Sequence, residues 1–295
     1  MDVLVFGAGS LGSLVGGLLA RQHRVTLVGR DPHVATVDAE GLTVDGELEC
    51  HVGPAAATAV PADAAPELAV VTVKAYDTVA AADALTDCSP AATLSLQNGL
   101  DNETVLAARL DCPVLAGTCT YGAVLSEPGR VTCTGVGEVV LGPRAGGESE
   151  SAARVGAAFD DAGFETTVAT DMPRRSWEKL AVNAGINATT ALARVENGRV
   201  LDDPASEVAV TAARETARAA REAGVDLSDE AATAAVRRVA AATADNTSSM
   251  HQDVLAECRT EVDAINGAVT ERTDAPVNRT MAALLRAWER ARDLR

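Results

Sequence analysis

The sequence predicts an α/β N-terminal domain with a mainly parallel sheet over residues 1–171, followed by an all-α C-terminal domain over residues 172–295. Three observations predict this organisation. Short apolar strands alternate with helical segments through the first part, as in a sheet with helices on both faces. A glycine-rich turn directly follows the first strand. Beyond Met172-Pro173 the strand patterns end, and Gly, Asp and Pro residues divide the chain into helices.

The first thirty residues predict a βαβ unit. Residues 2–6 (DVLVF) form a short apolar run, the leucines and valine of 14–19 recur with helical spacing, and Val25–Val28 form a second strand. Residues 42–52 alternate around Asp45-Gly46, which predicts a hairpin with a two-residue turn. The alternation continues with strands expected at 68–73, 92–96, 113–118, 131–134, 138–141 and 166–169, and with helices expected at 76–85, 102–110 and just before Gly163.

Composition excludes several classes of protein. Of the 295 residues, 47% are hydrophobic and 23% charged, as in a soluble globular protein, and the net charge is −17. Binding to duplex nucleic acid or to an anionic membrane is not expected, because both need clustered Lys and Arg. Only Lys74 and Lys179 are lysines, against 23 arginines. This acidic, lysine-poor composition is typical of adaptation to a high-salt cytoplasm.

Other sequence signals predict a reduced, metal-free, cytoplasmic protein. We find no basic leader with an apolar core and no run of about 20 apolar residues that could span a bilayer. Six cysteines form no CxxC pair, and four histidines are dispersed. A structural zinc site is therefore not expected.

The glycine-rich turn predicts a dinucleotide site in a Rossmann-like domain. The motif GxGxxG alone is weak evidence. Here it joins the first strand to the first helix, so that the positive end of the helix dipole would face the bound phosphates. Gly7 would permit the tight turn, Gly9 the approach of a pyrophosphate, and Gly12 close packing of helix on strand. A purely structural turn is the alternative. The expected cofactor-binding residues of this segment are Gly7, Ala8, Gly9, Ser10, Leu11 and Gly12.

Arg30, at the end of the second strand, favours NADP(H) over NAD(H). NAD enzymes usually place a carboxylate there for the ribose 2′-hydroxyl, whereas a guanidinium can bind a 2′-phosphate. Asp31 could serve the hydroxyl instead, and Arg30 could merely cover the adenine.

Lys179, Asn183 and Asn187 are spaced by four residues and predict one polar stripe on a helix. Asparagine is a mediocre helix former, so this stripe favours a functional face over a solvated one, which remains the alternative. Reduction of a ketone needs a proton donor for the carbonyl oxygen, and a partly buried lysine can supply it.

Lys74 and Asn98 end two further predicted strands, at the sheet edge where doubly wound folds bind ligands. Ser249 and Glu261 are the remaining candidates. A continuous helix would separate them by about 18 Å, too far for one small substrate. If both act, the chain must bend near residue 258, and Thr260 could cap the next helix.

These segments together resemble the ketopantoate reductase family. The resemblance is carried by GAGSLG (7–12), Arg30, TVKAYD (72–77), QNG (97–99), WEKLAVNAGINATTAL (177–192), TSSMHQD (247–253), RTEVDAINGAV (259–269) and APVN (275–278). It implies an N-terminal domain that binds NADPH and a helical C-terminal domain. The reaction that it implies is reduction of 2-dehydropantoate to (R)-pantoate, a step toward pantothenate and coenzyme A.

The resemblance also implies a role for each site residue. Lys179 would be the general acid, and Glu261 would orient it and hold the substrate hydroxyl. Substrate would be bound by Asn98, Asn183, Asn187 and Ser249, and cofactor contacts would extend to Arg30, Lys74, Asn98 and Glu261.

Two other functions stay open from the sequence. One is a related hydroxyacid dehydrogenase that acts on another small keto acid, and the other is a non-catalytic NADP(H) redox sensor. The acidic surface and the short region after Pro276 leave the oligomeric state open, a homodimer included.

Overall fold

The computed structural model describes all 295 residues and separates into two compact units. The first unit holds residues 1–97 and 101–172, and the second holds residues 98–100 and 173–295. The change of unit after Met172 lies one residue beyond the boundary expected from the sequence. The short segment 98–100 leaves the α/β unit and is part of the helical one.

Twelve strands all lie in the first unit. They are β1 Asp2–Phe6, β2 Arg24–Val28, β3 Leu42–Gly46, β4 Cys50–Val52, β5 Ala55–Ala57, β6 Leu68–Val71, β7 Thr93–Ser95, β8 Val114–Cys119, β9 Gly122–Glu127, β10 Arg130–Gly135, β11 Glu138–Pro143 and β12 Glu165–Val168. Eight of them form one sheet in the order β12-β11-β8-β7-β6-β1-β2-β5. Every neighbouring pair in it is parallel except β8 with β11. The mainly parallel sheet predicted from the sequence is therefore confirmed.

The helices of the first unit are α1 Ser10–Leu19, α2 His33–Glu40, α3 Thr78–Thr86, α4 Asn102–Ala107 and α5 Glu150–Asp161. The inner strands are apolar because side chains on both faces are covered, and all four residues of β6 are buried. Helix α2 and strands β5 and β9 were not predicted. Strand β5 is three alanines, which carry no strand signal, and no residue of β9 is fully buried.

The predicted hairpin at 42–52 is present, but the prediction of a two-residue turn at Asp45-Gly46 was wrong. Strands β3 and β4 pair with Leu42 opposite Val52, within a second sheet of order β4-β3-β10-β9. Strand β3 continues through Gly46, whose φ is +90°, and residues 47–49 connect it to β4. Gly46 stays in β3 because it pairs with Cys133 of β10. The two strands lie so close there that a Cβ at Gly46 would be 2.2 Å from the Cys133 carbonyl oxygen.

The second unit is entirely helical, as predicted. Its helices are α6 Met172–Ala193, which enters the unit at Pro173, α7 Ala205–Glu222, α8 Asp229–Ala242, α9 Ser249–Leu255, α10 Ala268–Thr270 and α11 Pro276–Arg290. A 3₁₀ turn covers Asn197–Leu201, and a π turn covers Asp263–Gly267. Buried alanines on α7 let the neighbouring helices approach closely. No helix is both long enough and apolar enough to cross a membrane.

The bend expected between Ser249 and Glu261 is confirmed. Helix α9 ends at Leu255, and Glu257 has a φ of +50°. Thr260 accepts a hydrogen bond from the Val262 N–H at 3.3 Å, but Val262, not Thr260, occupies the N-cap of the π turn that follows. The expectation that Thr260 caps this turn was therefore wrong, since the turn begins two residues later.

Candidate functional site

The glycine-rich turn lies over the end of β1 in the first unit. The backbone N–H groups of Gly7 and Ala8 both donate to the Val28 carbonyl at 2.9 Å. Gly7 has a φ of +115°, and a Cβ there would lie 2.7 Å from the Val73 backbone nitrogen. Only glycine meets both conditions without strain. The turn is therefore held tightly against the ends of neighbouring strands.

The next two glycines differ in what surrounds them. A Cβ at Gly12 would lie 2.1 Å from the Gly7 carbonyl oxygen and 2.5 Å from the Thr72 hydroxyl, whereas a Cβ at Gly9 would meet nothing within 4 Å. Gly9 is the N-cap of α1, where the first backbone N–H groups have no partner within the helix. The Ser10 hydroxyl accepts from Leu125 N–H at 3.0 Å and anchors this end of the helix to β9. Open space before unpaired N–H groups suits an anionic pyrophosphate.

Arg30 lies just beyond β2, with its side chain 90% exposed. Its guanidinium is 3.6 Å from the Asp77 carboxylate, an exposed ion pair of little strength. Asp31 is also exposed. Arg30 is therefore accessible to a 2′-phosphate, and Asp31 beside it is accessible to a ribose hydroxyl.

His33, which sequence reasoning missed, fastens the segment after Arg30 to the glycine-rich helix. Its Nδ1 accepts from Gly129 N–H at 3.0 Å, so its Nε2 carries the proton and donates to the Ser13 hydroxyl at 2.9 Å. Burial lowers the pKa of His33, which favours this neutral form. Nothing local in the sequence marks the role, because Gly129 is 96 residues away.

Lys74 and Gln97 lie just beyond the ends of two neighbouring strands of the same sheet, Lys74 three residues after β6 and Gln97 two residues after β7. Lys74 is the N-cap of a 3₁₀ turn over Ala75–Asp77, and its carbonyl accepts from Asp77 N–H at 2.8 Å. The buried Gln97 amide donates to the Val73 carbonyl at 3.1 Å and to the Thr78 hydroxyl at 2.8 Å. Gln97 therefore fixes the strand end that carries Lys74. The sequence motif included Gln97 without suggesting this role.

The polar stripe lies on α6 in the second unit. Lys179 and Asn183 are half-buried, and Asn187 is buried. The spacing of four residues places all three on one face of this continuous helix. The solvated face that the sequence left open as an alternative does not fit this burial.

Asn98 connects α6 to Glu261. Its Nδ2 donates to Glu261 Oε2 at 3.0 Å, and its Oδ1 accepts from Asn183 Nδ2 at 3.5 Å. A carboxylate only accepts hydrogen bonds, which fixes the orientation of the amide. Gly99 has a φ of +91°, and a Cβ there would lie 2.7 Å from Ala264 Cβ. The Asn98-Gly99 segment can therefore lie directly against the π turn after Glu261.

Asn187 and Ser249 meet at the other end of the stripe. Asn187 Nδ2 donates to Ser249 Oγ at 3.4 Å. The neighbouring Ser248 caps α9 and shares a 2.7 Å hydrogen bond with Thr190 of α6. Helix α9 is thus attached to α6 beside the candidate substrate residues.

A buried network that sequence reasoning also missed supports the stripe. Asn266, in the π turn, donates to the Ala184 carbonyl of α6 at 3.2 Å and to Asn278 Oδ1 at 2.8 Å. Asn278 Nδ2 donates to Glu215 Oε2 at 2.8 Å, and all three polar side chains are buried. The hydrogen bonds of the motif residues at 266 and 278 therefore hold helices together.

The second unit thus brings together Asn98, Asn183 and Glu261 in one chain of hydrogen bonds, and Asn187 with Ser249 in a second. Lys179 lies one turn before Asn183 on the same helix. Amides, a hydroxyl, a carboxylate and an ammonium on one surface can bind a small polar acid and transfer a proton. No group of three or more His, Cys, Asp or Glu side chains is arranged to hold a metal ion.

Family models match nearly all of the chain. The model described as Ketopantoate reductase PanE/ApbA matches residues 3–146, and the model of its C-terminal part matches residues 171–289. A curated 2-dehydropantoate 2-reductase of Halobacterium salinarum is 46% identical and covers 98% of this chain and 99% of its own. The enzyme of the same name from Archaeoglobus fulgidus is 39% identical, with 97% of each chain covered.

Solved structures give the same fold. A PanE/ApbA family ketopantoate reductase from Ralstonia eutropha superposes with a TM-score of 0.91 at 32% identity, covering 99% of this chain and 100% of its own. A D-mandelate dehydrogenase bound to NADH and anilino(oxo)acetate reaches 0.92 at 21% identity, with both chains fully covered. At 21% identity this second likeness shows the fold alone.

Proposed function

The chain belongs to the ketopantoate reductase family, and on this premise we propose that it reduces 2-dehydropantoate to (R)-pantoate with NADPH. The supporting observation is the hydrogen-bonded cluster of Asn98, Asn183 and Glu261 beside Lys179. Relatives that match over nearly their full length carry the name of this activity. The proposal assigns the dinucleotide to residues 1–171 and the substrate to residues 172–295, with Asn98 contributed from the strand end.

The glycine-rich turn fits a dinucleotide. The open space at Gly9 and the unpaired N–H groups of α1 suit its pyrophosphate, and the exposed Arg30 suits a 2′-phosphate. NADPH, when bound, supplies the hydride for the keto carbon. We assign residues 7–12, Arg30 and Lys74 to cofactor binding, with Asn98 and Glu261 as further contacts.

We assign to Lys179 the proton that the keto oxygen takes up. Negative charge grows on this oxygen during reduction, and an ammonium both stabilises it and donates to it. Glu261 orients Lys179 and accepts from the substrate hydroxyl. A carboxylate has lone pairs for several donors, so Glu261 can accept from the substrate and from Asn98 together.

The amides and the serine hold the rest of the substrate. Asn183 and Asn187 present donors and acceptors without adding charge, so they can bind hydroxyl and carboxylate groups while Lys179 remains the local cation. We place Ser249 near the substrate carboxylate, because its hydroxyl already bonds Asn187 and lies in the first turn of α9.

We further propose that the enzyme works in a salt-rich cytoplasm, in the route to pantothenate and coenzyme A. The net charge of −17 and the near absence of lysine support the high-salt setting.

The direct test is NADPH oxidation in high salt with 2-dehydropantoate, beside a panel of other 2-keto acids and with NADH as comparison. We expect selective turnover of 2-dehydropantoate with NADPH. Preferred turnover of another keto acid would replace the substrate and keep the reaction type. Tight NADPH binding without turnover of any acid would favour a redox sensor instead.

A further inference from the structure

Helix α11 carries a carboxylate that the proposed reaction does not use. Glu289 is 0% exposed, although an ionisable side chain in a protein core is costly unless hydrogen bonds compensate. Charged residues at the end of a helix are ordinarily solvated. The complete burial of Glu289 therefore calls for a structural partner.

The partner is the residue directly before Glu261. Glu289 Oε1 accepts from the Thr260 backbone N–H at 2.8 Å and from the Thr260 hydroxyl at 2.6 Å. Arg295 Nε lies 2.8 Å from the other oxygen, Oε2. Thr260 itself is 1% exposed. Both donors of one residue thus converge on one oxygen of a buried carboxylate.

The segment held in this way has no regular structure of its own. Residues 256–262 lie between α9 and the π turn, and Glu257 has a φ of +50°. Helical hydrogen bonds therefore do not fix the backbone of Glu261 from its N-terminal side. The bonds from Thr260 to Glu289 supply a fixed point one residue away.

A second contact holds the segment from the C-terminal side. Asp263 Oδ1 accepts from Arg286 Nε at 2.8 Å, and Asp263 Oδ2 accepts from Arg295. Burial alone raises the pKa of Asp263, but hydrogen bonds from these two arginines outweigh it and lower the pKa overall. Helix α11 and Arg295 therefore hold the residues on both sides of Glu261.

We infer that Glu289 is a positioning residue, which through Thr260 fixes the backbone of Glu261 so that its carboxylate meets the Asn98 amide. Glu289 need not touch the substrate. The role of Glu261 in turnover rests on the proposed function. The fixed position of the Glu261 backbone can be measured independently of that function.

The first variant is Thr260→Val, which keeps the branched shape and removes the hydroxyl, and with it both the bond donated to Glu289 and the weaker bond accepted from Val262 N–H. We expect kcat/KM for 2-dehydropantoate to fall by about tenfold or more, the scale of a lost hydrogen bond to a charged group. Thr260→Ser keeps the hydroxyl and is expected to stay within about twofold of the wild type. Thr216→Val is the matched control, because the buried Thr216 hydroxyl bonds only the Ala212 carbonyl within α7.

A double-mutant cycle with Glu261→Ala separates positioning from general damage. If Thr260 acts through Glu261, then Thr260→Val has no further effect on kcat/KM once Glu261 is absent. Equal losses in both backgrounds would overturn the inference. If Thr260→Val does not fold, Glu289→Gln replaces it. Thr260 and Arg295 both present donors to Glu289, so the amide NH₂ of a glutamine would face a donor on one side and lose that hydrogen bond.

Hydrogen exchange supplies a readout that needs no activity. In Thr260→Val we expect the amides of 259–262, which follow the last amides bonded to α9, to exchange about tenfold faster or more, with no such change in Thr216→Val. Unchanged exchange in this segment would overturn the inference whatever the turnover. Faster exchange in an enzyme whose wild type reduces no 2-dehydropantoate would overturn the proposed function and leave the positioning of Glu261 standing.

Discussion

Gly9 and Gly12 belong to one motif, yet the structure predicts opposite consequences of replacing each with alanine. The added methyl group at Gly12 would lie 2.1 Å from a backbone carbonyl oxygen, so the backbone itself must move. Such overpacking costs about 1–3 kcal/mol. With an unfolding entropy of about 2.1 cal/mol/K per residue over 295 residues, that corresponds to a fall in melting temperature of about 2–5 °C.

At Gly9 the same methyl group meets nothing within 4 Å, and the backbone angles of −87° and −160° are open to alanine. Lower entropy of the unfolded chain favours Gly9→Ala by about 0.4–1 kcal/mol. Loss of a preferred N-cap residue opposes it by about 1 kcal/mol. The free energy of unfolding should therefore change little. The methyl group would instead occupy the space assigned to the pyrophosphate, and NADPH binding should weaken by at least about tenfold, or about 1.4 kcal/mol.

The two variants serve as controls for each other. Thermal unfolding followed by circular dichroism measures stability, and a fluorescence titration with NADPH measures the dissociation constant. A Gly9→Ala variant that binds NADPH as tightly as the wild type would refute the placement of the pyrophosphate. A Gly12→Ala variant with unchanged melting temperature would refute the close approach of α1 to the Gly7 turn.

Four further predictions concern the proposed chemistry and the environment of the protein. Lys179→Ala should lower turnover by about 10² or more with NADPH binding nearly intact, as for a lost general acid; steady-state kinetics with unchanged kcat would remove Lys179 from the mechanism. Arg30→Ala should weaken NADPH more than NADH in parallel titrations, and equal losses would show that Arg30 does not bind the 2′-phosphate. Burial lowers the pKa of His33 in the folded protein, so as pH falls below about 6.5 the unfolded chain binds a proton before the folded one does. The free energy of unfolding should therefore decrease between about pH 6.5 and the pKa of folded His33. His33→Gln cannot titrate, and its free energy of unfolding should lose this part of the pH dependence. Stability and activity should persist in molar salt, where repulsion among acidic groups is screened; optimal stability in dilute buffer would contradict the high-salt setting.

The sequence predicted those features that depend on local pattern. Residues 68–71 are a continuous apolar run, so their burial on both faces of a parallel sheet was readable in advance. The stripe of Lys179, Asn183 and Asn187 follows from helical periodicity alone. The need for a break before Glu261 followed from the length of a continuous helix.

Features that depend on distant partners were not predictable. Gly46 is typical of a turn, yet pairing with β10, far along the chain, keeps it in a strand. His33 and Glu289 have no local signal, because their partners Gly129 and Thr260 lie 96 and 29 residues away. In sequence, Glu289 lies among arginines and has the pattern of a solvated helix end. The structural roles of Gly46, His33 and Glu289 therefore depend on tertiary contacts and not on local sequence.

The assignment of residues 98–100 to the helical unit has a consequence for dissecting the protein. A fragment that starts at Pro173 would carry every helix of that unit, yet it would lack the Asn98 amide that bonds Glu261 and the Leu100 side chain that packs on the helical core. During synthesis this tripeptide is made long before the helices that enclose it. The helical unit is therefore discontinuous in sequence, and a chimera that exchanges it at a single junction would separate Glu261 from the Asn98 amide of its own chain.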